Sequence, residues 1–225
     1  MRILVTGGAS GLGKAIVDAI NKSKGHSAVT YDIENGDDVT DPQGSDWIYH
    51  EKFDALINCA GINRNEWFSD ISRDGAQYVM DVNAFSMVYM TQALLKTLIE
   101  SKGFVLNIVS NAAHIPMTSS LAYNASKAAA LMITKQMAHE LTPKFGITVF
   151  SISPNKLRGT GMSKQIEDNV CKTRGWTPEF AAEYQKKALM HGLETEPQAI
   201  ADYIVHLLDT GNWKFMSGTD IPFGK

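Results

Sequence analysis

The sequence predicts an α/β domain, doubly wound, with a mostly parallel sheet of seven strands. Three observations carry that prediction. Short β-branched runs alternate with longer helix-period segments, the pattern of strands joined by helical crossovers. The first such run, Arg2 to Thr6, stops at the glycine-rich stretch TGGASGLG, residues 6–13, and a helical pattern follows. Further on, the apolar run FVLNIVS ends at Ser110, ahead of an alanine-rich helical run that opens with Tyr123 and Lys127. At 225 residues the chain has the length of a single domain, residues 1–225.

The elements follow in order. Ala15, Ile16, Ala19 and Ile20 give the first helix its apolar stripe, which ends near Gly25. Gly7, Gly11 and Gly13 let the preceding turn approach a pyrophosphate, and the helix N-terminus supplies N–H groups for it. The second strand, residues 26–33, ends in an acid. Asp32 stands 19 positions beyond Gly13, the distance at which an acid meets the adenosine ribose hydroxyls. No Arg or Lys sits beside Asp32 or at Ser10 to receive a 2′-phosphate, so NAD(H) is expected over NADP(H). Residues 35–43 are turn-rich. The short interval that follows leaves room for one helix over 42–50 and a very short strand near Asp38 and Val39. A strand over 53–58 runs into Asn58-Cys59-Ala60-Gly61, where Gly61 again permits close approach to a ligand. A polar loop, 63–68, leads to a long helical region, 75–101, that contains Asp81-Val82-Asn83. After the strand into Ser110 come a helix over 121–142 and a sixth strand over 147–152. A loop over 156–195 would cover the site. A helix over 198–208 and a final strand over 214–220 complete the chain.

Tyr123 and Lys127 lie one helical turn apart and project from one face. An ammonium on that face favours a phenolate, which makes the tyrosine a candidate general acid/base. Ser110 lies at the end of a strand, where doubly wound folds place their chemistry. Asn111 and His114, just past it, are candidate substrate contacts. Lys156, Arg158, Lys164, Lys172 and Arg174 stand against only Glu167 and Asp168 as far as Arg174. That local excess is suited to an anionic substrate, Arg158 being the candidate contact, and equally to a solvated surface.

Several function classes are disfavoured. A net charge of −3 argues against nucleic acid or an anionic membrane as partner. No stretch has the length of a membrane span, and the N-terminal apolar run is too short for a signal peptide. Cys59 and Cys171 are far apart and imply no disulfide framework, as in a reducing, cytoplasmic setting. The six histidines are scattered, so no metal site is expected.

Taken jointly, TGGASGLG, the acid after the second strand, NCAG, DVN, a strand ending in Ser and then YxxxK resemble the short-chain dehydrogenase/reductase family. The resemblance spans Thr6 to about Thr160 and implies a Rossmann fold and an alcohol–carbonyl oxidoreductase. It implies a tetrad in which Tyr123 is the acid/base. Lys127 would lower its pKa and bind the nicotinamide ribose. Ser110 would bond the substrate oxygen, and Asn83 would hold a water. It assigns Gly7, Ser10, Gly11, Leu12 and Gly13 to the pyrophosphate, Asp38 and Val39 to the adenine, and Asn58, Ala60 and Gly61 to the ribose. Thr160, one position later than the family pattern, would meet the nicotinamide amide, and Asn155 replaces the usual glycine after Pro154. A homodimer or homotetramer through the helices near 75–101 and 121–142 is implied as well. Two rival readings share the cofactor: a nucleotide-binding sensor without turnover, and an epimerase or dehydratase.

Overall fold

The structure, a computed structural model, describes residues 1–189 and 191–224. Six strands form one sheet: β1 (Arg2–Thr6), β2 (Ser27–Tyr31), β3 (Ala55–Asn58), β4 (Phe104–Ile108), β5 (Thr148–Pro154) and β6 (Asp220–Phe223). Their order is β2-β1-β3-β4-β5-β6 and every pairing is parallel. Between β1 and its two neighbours the chain winds in opposite directions, which opens a crevice at the carboxyl ends of β1 and β3.

The alternation of the strands decides the two layers. Ile3, Val5, Ile57, Leu106, Phe150 and Ile152 face one way, onto α1 (Gly11–Lys22) and α8 (Pro197–Thr210). Leu4, Leu56, Val105 and Val149 face the other. That side is covered by α3 (Ser86–Ala93), α4 (Leu95–Ser101) and α5 (Leu121–Phe145), after α2 (Arg73–Met80). Two further helices, α6 (Gly161–Arg174) and α7 (Pro178–Ala188), follow β5.

On the α5 face the apolar rows give way to a polar one. Thr6, Asn58, Asn107, Ser151 and Asp220 are successive register partners, one from each of five strands. Asn58 Nδ2 donates to Asn107 Oδ1 at 2.8 Å, and Asn107 Nδ2 to Thr134 Oγ1 of α5 at 2.8 Å. Ser151 and Ser153 both donate to Asp220 Oδ1, at 2.6 and 2.8 Å. This row separates the dry core from the chemistry above it.

Several expectations are corrected. The sheet has six strands because the chain at Asp38 and Val39 forms turns. Asp32 accepts from Glu34 N, Asp38 from Thr40 N and Oγ1, and Gly36 takes φ +87°. The expected helix over 42–50 is two 3₁₀ turns, Pro42–Gly44 and Asp46–Tyr49. Asp37 draws Ser45 Oγ and Trp47 Nε1 onto one oxygen there, fixing a turn where a helix would run. The long helix over 75–101 is divided by a π-turn, Asp81–Phe85, and again at Leu94. The segment expected as a loop carries α6 and α7. The last strand begins at Asp220, since Gly211 (φ +69°) ends α8 and a 3₁₀ turn, Asn212–Phe215, seats Trp213 in the core first.

Asn107→Leu leaves the Asn58 amide without its acceptor in a dry layer. Urea denaturation is expected to show a loss of about 2–4 kcal/mol, from the cost of a buried orphan together with the lost bonds.

Candidate active site

The crevice is built by close backbone approach. Gly7 takes φ +67°, and a Cβ there would lie 2.8 Å from Ala60 Cα. A Cβ on Gly13 would lie 2.0 Å from the Gly7 carbonyl oxygen, so α1 can pack against the turn only through glycine. Gly11, at φ +53°, completes the turn, and Ser10 occupies the α1 N-cap with no side-chain cap bond. Leu12 is buried in the core, so only its backbone is free to serve a ligand. Thr6 Oγ1 accepts from Cys59 N at 3.0 Å and Ala60 N at 3.1 Å, tying the NCAG turn to the first strand. Sequence reasoning missed that tie, although a threonine directly before the glycines is a visible signal for it. At the rim, Asp32 is buried, with one oxygen accepting from Ala9 N and the other from Glu34 N, each at 3.0 Å.

Not every residue expected around a nucleotide points into the crevice. Asn58 turns its Nδ2 to Asn107 inside the sheet, while its Oδ1 is buried without a partner among the described residues. Asp38 turns its carboxylate to Thr40, and Val39 is buried against Tyr31 and Ile48 in the core. Cys59 is half-buried beside Lys127, and burial pushes its thiol up to about 12, so it stays protonated.

Four elements converge on the next cluster. The π-turn presents Asn83, fully buried, whose Oδ1 accepts from Ile62 N at 2.8 Å. Its Nδ2 donates to Ile62 O at 2.9 Å and to Ser126 Oγ at 3.0 Å. Asn83 therefore clamps the segment after Gly61 to α5, and its side-chain amide donates only to protein atoms. π-turns of this kind are frequent at functional sites. Ser110 follows β4 in extended conformation; its hydroxyl accepts from Ala112 N at 3.1 Å and acts to lower the pKa of the Tyr123 phenol. From α5, Lys127 Nζ donates to Ile108 O at 3.1 Å and lies 5.9 Å from the Tyr123 ring centroid.

The electrostatics differ from the simple expectation for a Tyr–Lys pair. Burial raises the Tyr123 pKa, and the Ser110 hydroxyl is what opposes the rise. Burial pulls the Lys127 ammonium down to about 8, with the nearby Cys59 acting in the opposite sense. The lysine sits over the ring face and donates to a carbonyl, which is why its charge does little for the phenol oxygen in this arrangement.

A family model described as short chain dehydrogenase matches residues 26–170, which include Asp32, Asn83, Ser110, Tyr123 and Lys127. The chain belongs to the short-chain dehydrogenase family. Sorbitol-6-phosphate 2-dehydrogenase of Klebsiella pneumoniae is 28% identical, over 99% of this chain and 95% of its own. The crystal structure of a short chain dehydrogenase family protein from Francisella tularensis subsp. tularensis SCHU S4 matches with a TM-score of 0.86 at 27% identity, covering 98% and 96% of the two chains. 4-Hydroxyisoleucine dehydrogenase complexed with NADH matches with a TM-score of 0.85 at 25% identity, covering 99% and 96%. The protein is thus an oxidoreductase of the CH–OH group that uses NAD or NADP. The glycine cradle at Gly7 and Gly13 and the fixed Asp32 carboxylate fit such a dinucleotide.

The remaining short-chain dehydrogenase candidates are spread out. Thr160 caps α6, with its hydroxyl accepting from Ser163 N at 3.1 Å, and packs near Gly11. Asn155 donates to Gly224 O at 2.6 Å, so the residue that replaces the family glycine anchors the chain after β6. Asn111 opens the 3₁₀ turn behind Ser110, and His114 pairs with Asp220 at 3.0 Å. Arg158 pairs with Glu196 at 2.8 Å and Lys156 with Glu167 and Glu194 at 2.6 Å, while Arg174 donates to Thr118 O. Of the five cations read from the sequence, Lys156 and Arg158 are paired with carboxylates. Among the described residues no group of three or more His, Cys, Asp or Glu could hold a metal, and no helix is long and apolar enough to cross a membrane.

The buried lysine has a signature in stability. Between about 8 and 10.5 the unfolded chain keeps the lysine proton that the folded chain has lost, so this group adds stability as pH rises. Tyr123 and Cys59 act in the opposite sense, and both are retained in Lys127→Met. Wild type is therefore expected to gain about 2–3 kcal/mol relative to Lys127→Met between pH 8 and 10.5, read by chemical denaturation across the range.

Proposed function

We propose that the protein interconverts an alcohol and a carbonyl with NAD(H) preferred, and that Tyr123 moves the proton. The observation that carries this reading is the convergence of Ser110, Tyr123 and Lys127: Lys127 Nζ donates to Ile108 O at 3.1 Å and lies 5.9 Å from the Tyr123 ring centroid, and the Ser110 hydroxyl opposes the rise of the phenol pKa. Ser110 stands beside the phenol, favours its ionised form and would donate to the substrate oxygen. Tyr123 gives its proton to that oxygen in reduction and takes it back in oxidation, so its neutral form, favoured by burial, is the reductive acid. Lys127 donates to the nicotinamide ribose and stabilises the phenolate when it forms. Asn83 holds Gly61 and Ile62 against this group. The cofactor supplies or accepts the hydride.

Gly7, Ser10, Gly11, Leu12 and Gly13 would hold the pyrophosphate through backbone N–H groups, and Asp32 the adenosine ribose. Ala60 and Gly61 lie along the ribose path, and Thr160 stands beside the loop. The buried Asp32 carboxylate disfavours a 2′-phosphate at the same place, which is the basis for NAD(H) over NADP(H). A sensor without turnover would have no use for a serine that positions a buried tyrosine hydroxyl. Two free cysteines fit a reducing, cytoplasmic setting.

The expected outcome of steady-state assays with a ketone panel is turnover with NADH at least about 10-fold above that with NADPH. Tyr123→Phe is expected to lower kcat by about 10²–10⁴-fold while NADH binding, followed by fluorescence, changes little. Equal loss of binding and turnover would refute the acid/base assignment.

The same reading includes assembly through α3 and α5. Phe85 stacks on Tyr89 at 6.4 Å with both partly exposed, and Met132 of α5 is 62% exposed. These are apolar faces of a kind that a second copy covers. Light scattering is expected to give two or four times the 24.7 kDa of one chain, and a single-chain mass would remove this part of the proposal.

A further inference from the structure

We infer that the substrate side of the cleft is a collar of hydrogen-bonding groups suited to an uncharged substrate with hydroxyls on the carbons beside the reacting one. This rests on the oxidoreductase reading above. The collar begins at Gly61, where an added Cβ would lie 3.7 Å from Lys127 Nζ. The chain then runs through Asn63 and Asn65 to Glu66, whose N–H donates to Ser119 O at 2.9 Å. Glu66 also bridges to Ser120, which stands three residues, and so one helical turn, before Tyr123. The segment thus stretches from the catalytic lysine to the entrance of the catalytic helix.

Three polar atoms along it are buried with no protein partner among the described residues: Asn63 Oδ1, Asn65 Oδ1 and Ser120 Oγ. Asn63 and Ser120 are only 5% and 2% exposed. Ser120 is the N-cap of α5, yet its hydroxyl makes no cap bond, although serine is a preferred capping residue. A buried polar atom without a partner is costly, and several together point to a ligand or water that completes them.

The chemistry of the partner follows from what is missing. The orphaned amide oxygens need donors, while the Asn65 amide nitrogen already donates to Ser119 O at 3.5 Å. A hydroxyl can donate to them, whereas a carboxylate or phosphate only accepts. Two neighbouring cations are engaged elsewhere, and Arg64, within the segment, lies over the Tyr78 ring at 5.7 Å. Arg174 donates to Thr118 O and to Ser119 Oγ, the latter at 3.3 Å, and Arg158 pairs with Glu196. Trp67 Nε1 donates to Thr173 O at 2.7 Å, and Arg174 stacks on Trp176. These contacts lay the end of α6 over the collar, and a substrate would reach it only if they part.

The test uses the whole protein with NAD and three five-carbon alcohols: 2-pentanol, pentane-2,3-diol and xylitol, with gluconate as the anionic member. The diol or the pentitol is expected to exceed 2-pentanol in kcat/KM by about 100-fold or more, because a site that bonds hydroxyls rejects analogues lacking them. Gluconate is expected to be no better than the neutral polyol. Asn63→Leu and Ser120→Ala are each expected to reduce the polyol preference by about 10-fold or more, through a higher KM for the hydroxylated members. No discrimination by the wild type, or a preference unchanged in both variants, would overturn the inference. If NADH binds but none of the set turns over, the redox reading fails for these compounds and the collar is read by melting. A millimolar xylitol shift in the NADH complex that is larger for wild type than for Asn63→Leu supports the collar. Equal shifts assign the three atoms to trapped water and overturn it.

Discussion

The burial of one ammonium group governs this site. Lys127 is 5% exposed, and its Nζ donates to the main-chain oxygen of Ile108 at the end of β4. A lysine in that position costs stability unless its surroundings are polar. The surroundings are therefore organised around it. The π-turn brings in Asn83, Gly61 leaves room for the Asn83 amide oxygen, which an added Cβ would meet at 3.2 Å, and β4 ends where its carbonyl is needed. A charge held where folding disfavours it is a common property of catalytic groups, since function and maximal stability draw on the same position.

The polar row across the sheet makes that arrangement possible. Below Thr6, Asn58, Asn107 and Ser151 the α5 face of the sheet is aliphatic, and above them lie the glycine turn, Ser110 and Lys127. An abrupt change from aliphatic packing to an open cleft would leave water against the core. The bonded amides and hydroxyls instead make a polar floor in which most groups pair with one another, Asn58 Oδ1 being the exception. The same floor reaches His114 through Asp220, so the segment bearing Ser110 is held at both its ends.

How much was legible in the sequence depended on the range of the forces involved. Strands with alternating or continuous apolar runs, such as Leu4 and Val5 or Val105 and Leu106, were readable because periodicity is local. Tyr123 and Lys127 were readable as a pair because a helix fixes their relation. What failed depended on distant partners. Asn58 looked like a ligand contact, yet a residue 49 positions away, Asn107, claims its amide. The short strand expected at Asp38 and Val39 gave way to side-chain-capped turns, which compete with strand pairing in segments this rich in Asp. The lowering of the tyrosine pKa by the lysine was sound in principle. In this arrangement burial raises the phenol pKa and the Ser110 hydroxyl is what opposes the rise, because desolvation depends on everything packed around the pair.

The cations after β5 show the same lesson from the side of recognition. Along the sequence, Lys156, Arg158 and Arg174 stand together and suggest an anion. In space each has gone to a different neighbour: Lys156 to Glu167 and Glu194, Arg158 to Glu196, and Arg174 to the main chain at Thr118. Lys156 ties the exit of β5 to α6 and to the segment before α8, and Arg174 ties the far end of α6 to the approach of α5. Both charges thus act as fasteners of the cover over the cleft. An anionic substrate would have to outcompete carboxylates already in contact, at a cost in desolvation that a neutral substrate avoids. The ion pairs at Lys156 and Arg158 would therefore have to part before either cation could serve an anionic substrate.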